Sequence, residues 1–148
     1  MTNTLRFPAA DPQTAASFFA AELAFEADPD DVYRDMLAGD TQGYVLVETR
    51  SPEAFAAKRI PGAINLSYRD LPERVDLDPG LVYVCYCESF QCNAATKGAL
   101  ALAQRGYRVK RLAGGITAWE RAGYPVEGSG LVTASGSAGT VSQVACHC

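Results

Sequence analysis

Residues 81–97 read LVYVCYCESFQCNAATK, and the first six make the most apolar run in the chain. A run this short, rich in Val and Tyr, predicts a strand buried on both faces. From about Asn93 the pattern turns helical. Ala94, Ala95, Ala99, Leu102 and Ala103 recur at helical spacing as far as Arg105, and Gly106 supplies the stop. Residues 87–92 therefore link a buried strand to a helix.

Upstream, residues 44–47 (YVLV) follow Gly43 and predict another buried strand. Ser51, Pro52 and Glu53 open a helix, with Phe55 facing inward and a close near residues 60–62. Residues 63–66 predict a shorter strand. Asp28, Pro29, Asp30 and Asp31 mark a helix start: a capping acid, Pro in the first turn, and acids toward the positive dipole end. That helix runs through Val32, Met36 and Leu37 to Gly39. Residues 12–26, with Phe18, Phe19 and Leu23, predict a short amphipathic helix, preceded by ten polar, irregular residues.

Downstream, residues 107–112 alternate apolar and basic side chains and predict a fourth strand. Gly114 and Gly115 turn into a helix over 116–122, ended by Gly123 and Pro125. Strands that alternate with helices at this spacing imply parallel pairing. The expected fold is α/β, an open, mostly parallel sheet with helices on both faces. In such sheets the reactive crevice lies beyond the carboxyl ends of the strands, and Cys87 sits at one of them.

The chain has 148 residues, 48% of them apolar and 20% charged, which suits one soluble domain. After Glu127 the composition shifts to Gly, Ser, Thr and Ala. The expected organisation is a 1–27 extension with a short helix, a 28–127 domain and a 128–148 tail too polar to hold a core. A net charge of −4 argues against nucleic acid and anionic membrane as partners, since both need a basic footprint. No stretch approaches the ~18 apolar residues of a membrane span. Residues 1–16 lack the pattern of a signal peptide, and a cytoplasmic protein is expected.

Cysteines stand at 85, 87, 92, 146 and 148, an odd count that does not resemble a disulfide framework. Cys85, inside the apolar run, reads as a small core residue. Cys87 stands where unpaired N–H groups and the helix dipole favour negative charge, so its pKa is expected to fall. Taken alone it divides evenly between a reactive thiol and a packing residue. Cys92 has two readings: a resolving thiol that forms a disulfide with Cys87, or a small residue packed under the helix start. Trp119, beside Ile116, reads as core. Cys146, His147 and Cys148 are weak candidates for a soft metal, for thiol exchange with Cys87, or for a plain exposed thiol pair. His147 is the only histidine, so the domain holds no His general base.

Three further segments, in order, resemble the rhodanese family. Residues 45–55 (VLVETRSPEAF) look like its strand, acid-x-Arg and Ser-Pro-Glu-aromatic opening. Residues 60–66 (IPGAINL) are similar to its H-I-P-G-A-x-N motif. Residues 112–119 (LAGGITAW) and 122–125 (AGYP) look like its L-x-G-G-x-x-x-W and G-x-P ending. The likeness covers roughly residues 28–127. It implies a rhodanese-like sheet, a catalytic cysteine at Cys87, and a loop of Glu88, Ser89, Phe90, Gln91, Cys92 and Asn93 around the substrate.

The implied activity is sulfur transfer through a persulfide, split into loading and unloading steps. It needs no cofactor. Its partners are a small sulfane-sulfur donor and a thiol acceptor, or a partner protein as acceptor. Arg50 and Arg59 are candidates for holding an anionic donor, or for salt bridges and solvated surface. The loop departs from the family's common form. It has no Gly and no basic residue before Lys97, it resembles a subgroup reading Tyr-Cys-x4-Cys, and Glu88 beside the thiolate opposes anionic donors such as thiosulfate. Glu48 stands where the family usually has Asp, and Arg59 where it often has His. The alternative reading is a non-catalytic rhodanese-like module that binds a partner or senses redox state through Cys87 and Cys92. A thiol phosphatase would need an Arg where Asn93 and Ala94 stand.

Overall fold

The computed structural model describes residues 2–131. The candidates Cys146, His147 and Cys148 lie outside the described residues. In chain order the elements are α1 (Pro12–Phe25), β1 (Glu26–Ala27), α2 (Pro29–Ala38), β2 (Tyr44–Glu48) and α3 (Pro52–Ala57). They continue with β3 (Ile64–Asn65), β4 (Val82–Tyr86), α4 (Ala94–Gln104), β5 (Arg108–Leu112) and α5 (Gly115–Arg121). The strands form one open, five-stranded sheet in the order β1-β5-β4-β2-β3, and every pairing is parallel. This is the expected α/β architecture. No helix among the described residues is long and apolar enough to cross a membrane.

Side chains alternate across a strand, and β4 shows what that does. Val84 and Tyr86 join Val32, Leu46, Ile60, Leu112, Ile116 and Trp119 in a core on one face. Tyr83, Cys85 and Cys87 join Val47, Ala94, Ala95 and Leu102 on the other. Cys87, one residue past the end of β4, thus continues the Tyr83/Cys85 row toward α4. Trp119 is fully buried, and its Nε1–H donates to the Pro125 carbonyl at 2.8 Å. Truncation of so large a buried ring typically costs about 3–5 kcal/mol.

Three local expectations change. The sheet gains β1, because Glu26 and Ala27 pair with Arg111 and Leu112 directly after α1. Two residues between helices carry no strand period, so the sequence did not mark it. Helix α1 buries none of its residues, and Phe18, Phe19, Leu23 and Phe25 stay exposed. Lys110 Nζ ties its carboxyl end to β5 through the Leu23 carbonyl at 3.0 Å. Helix α3 ends at Ala57 and turns Ala54 inward, while Phe55 stays half-buried beneath the Arg59 guanidinium.

Candidate active site

The segment after β4 is fixed from both sides. The first-turn amides of α5 donate to it, Ile116 N to the Cys87 carbonyl and Thr117 N to the Glu88 carbonyl, both at 2.9 Å. That approach requires glycine at 115. Its φ is +64°, and a Cβ there would lie 2.5 Å from the Cys87 carbonyl oxygen. From the β2 side, Thr49 donates to the Tyr86 carbonyl through N and Oγ1, at 3.0 and 2.9 Å.

The Cys87 side chain then turns under the amino end of α4. Backbone N–H groups of Ala95, Ser89, Glu88 and Ala94 act on its sulfur and draw its pKa down. Burial acts the other way and wins. The residue is 2% exposed, and its thiol is held above the ordinary 9.0. The expected fall in pKa is therefore overturned: the amides are present, but water is too scarce around the sulfur for them to prevail. The thiol donates to the Cys92 carbonyl at 3.1 Å. Cys85, one turn of the pleat earlier, is pushed up to about 12 by burial alone.

A cavity of about 310 Å³ reaches Cys87. Its walls include Ser89, Phe90 and Cys92 from the loop, Arg111 from β5, and Glu22 and Glu26 from the α1–β1 junction. Phe90 is 85% exposed at this loop. Gln91 is exposed, and its amide donates to Ser89 Oγ at 3.3 Å. Asn93 occupies the N-cap position of α4 without a side-chain capping bond. Cys92 is half-buried against the same core cluster as Cys87, and Cys87 is a free thiol, so no disulfide joins the two.

The two arginines singled out in the sequence lie elsewhere. Arg50 is buried, with Nε on Glu48, Nη1 on Glu88 Oε2 at 2.6 Å, and Nη2 donating to the Lys58 carbonyl at 2.8 Å. It is the counter-charge for two carboxylates, not a wall of the cavity. Burial still holds the Glu48 carboxyl above its ordinary value, against the pull of Arg50. Glu88 thus has a cation behind it, which offsets part of the repulsion that its position beside Cys87 implied. Arg59 exchanges both backbone hydrogen bonds with Glu127, and its Nε pairs with Glu127 Oε1 at 3.2 Å. Neither arginine is brought to the cavity.

The cation that does line it is Arg111, which the sequence reading passed over. Its signal was present: the last basic residue of a strand stands near the carboxyl ends where the crevice forms. Glu26 carried no such signal, because its placement depends on the unmarked pairing of β1 with β5. Among the described residues no cluster of ligating side chains could hold a metal ion.

The sheet thus places a thiol among loop and helix amides, an arrangement that can stabilise negative charge at sulfur or on an oxyanion. The Rhodanese-like domain family matches residues 28–122, and the chain belongs to that family. The thiosulfate sulfurtransferase GlpE of Pseudomonas syringae pv. syringae is 38% identical over 90 residues, covering 58% of this chain and 80% of that protein. The HTH-type transcriptional regulator Rv0324 of Mycobacterium tuberculosis is 36% identical over 83 residues, 55% of this chain. The match spans 37% of that regulator. Among solved structures, the BH2092 protein from Bacillus halodurans gives a TM-score of 0.77 at 34% identity, covering 81% of this chain and 88% of that one.

Proposed function

We propose that this rhodanese-like domain, residues 28–127, is a sulfurtransferase that carries sulfane sulfur as a persulfide on Cys87. One observation carries the reading: the Cys87 sulfur adjoins a cavity while four backbone N–H groups act on it. Those donors suit a persulfide anion, whose outer sulfur extends away from the buried Sγ. The Cys87 thiolate attacks a sulfane donor, retains the outer sulfur, and yields it to a thiol acceptor, either a small molecule or a protein. Residues 88–93 form the loop around the transferred sulfur, and the Tyr-Cys-x4-Cys pattern of residues 86–92 sets that loop apart from the shorter, basic form. GlpE relatives, which are thiosulfate sulfurtransferases, support the reaction class.

The test is incubation with several sulfane donors, followed by mass spectrometry of the Cys87 peptide. A mass gain of one sulfur atom on the wild-type peptide, absent in Cys87→Ser, is expected. Absence of the gain with every donor overturns the reading.

A second reading has an observation of its own. The buried Cys87 thiol, held above its ordinary value, suits a non-catalytic module that binds a partner; redox sensing through Cys87 and Cys92, the other form of that reading, needs the thiol to open to oxidant. Under that reading oxidant, not sulfane donor, changes the mass of the Cys87 peptide.

A further inference from the structure

The charges around the Cys87 cavity form a pattern of their own. Glu26 stands opposite Arg111 across the β1–β5 pairing, and Arg111 stands opposite Cys85 across β5–β4. Register partners share a sheet face, so both charged side chains leave on the face of Cys85 and Cys87. The Arg111 guanidinium is held between Thr96 Oγ1, at 2.7 Å, and Glu26 Oε1. The other carboxylate oxygen of Glu26 is buried and has no hydrogen-bond partner among the described residues. Glu22, one helical turn earlier, lines the same cavity, and no ion pair among the described residues involves it.

This rim therefore offers one guanidinium, already shared, and a surplus of carboxylate acceptors. A buried carboxylate oxygen without a donor calls for one. An inorganic dianion such as thiosulfate brings two more negative charges and nothing for Glu22 or Glu26. A ligand bearing an ammonium and a carboxylate on one carbon answers both signs at once. We propose that the Glu22, Glu26 and Arg111 rim is a zwitterion subsite that selects small α-amino acid persulfides, of the cysteine type, as sulfur donors to Cys87. The ammonium faces Glu22 and Glu26, and the carboxylate shares Arg111. The proposal rests on the sulfur-carrier reading of Cys87 and adds the substrate class.

The step balances without an outside oxidant or reductant. Cys87 Sγ, as thiolate, forms a bond to the donor's terminal sulfur. The donor's S–S bond breaks, and its electron pair leaves with the inner sulfur as a thiolate. The proton lost by Cys87 ends on that departing group.

Loading of Cys87 is measured by mass spectrometry with cysteine persulfide, the persulfide of mercaptopropionate, the persulfide of cysteamine, and thiosulfate. Cysteine persulfide is expected to load fastest, with about a tenfold loss when either its ammonium or its carboxylate is missing, the scale of one charged hydrogen bond. The double variant Glu22→Gln, Glu26→Gln abolishes the preference for an ammonium and raises loading from thiosulfate several-fold, as repulsion falls. Arg111→Gln slows the carboxylate-bearing donors selectively. Circular dichroism checks that each variant folds. As a measurement on the unaltered chain, S-methylcysteine protects Cys87 from iodoacetamide while methylthiopropionate does not. Equal loading by all donors, or no protection, overturns the subsite and leaves the carrier reading standing. No loading by any donor overturns both.

Discussion

The loops that leave β2 and β4 start side by side, with Glu48 in register with Tyr86, and they are built in opposite ways. After β2 the chain buries the charged side chains of Glu48 and Arg50, with the neutral Thr49 between them. Arg50 answers Glu48 and Glu88 together, and Asn65 Nδ2 clamps the Glu48 and Arg50 carbonyls at 3.1 and 3.0 Å. After β4 the chain buries a neutral thiol and surrounds it with main-chain dipoles. The contrast separates two uses of polarity at a sheet edge. Side-chain charges that answer one another hold the backbone after β2, whereas main-chain dipoles aimed at a buried sulfur favour negative charge there after β4.

The largest expected difference is in chemistry. Cys87→Ser should lower sulfur loading by about a thousandfold or more, while leaving the urea midpoint close to wild type. Arg50→Met should do the reverse. Removing one partner of a buried pair strands Glu48, at a cost of about 3–5 kcal/mol, read as a lower urea midpoint at unchanged slope. A loss of loading in Arg50→Met with stability intact would instead place Arg50 in the reaction.

The next difference is in pH. Because the Cys87 thiol is held above its ordinary 9.0, its alkylation rate should keep climbing as pH rises past that value. The thiolate is the attacking species, so each step below the pKa gains about tenfold per pH unit. A plateau at lower pH would mean that the amides outweigh burial and that both loops stabilise charge. The smallest effect belongs to Arg59→Ala. Its half-exposed pairing with Glu127 is worth about 1 kcal/mol or less, and loading should match wild type.

The alternation of apolar runs with helical spacing determined the sheet and its helices, because burial on one face or two is written into residue order. Position 87 was legible for the same reason: a strand that stops before a helix must present the next side chain at the junction. Trp119 was legible as core from its apolar neighbours. What residue order could not decide was which charges meet. Arg50 and Arg59 looked available because the sequence shows a charge without its counter-charge, and their partners lie up to 68 residues away. Arg111 gained its place only when the two-residue β1 paired with β5. The sign of the Cys87 pKa shift was equally out of reach, since it is a difference between dipoles aimed at an atom and water removed from it. Local pattern fixes elements, because their hydrogen bonds and faces are local. Electrostatic balance belongs to the packed molecule, because every term in it depends on distances that only folding sets.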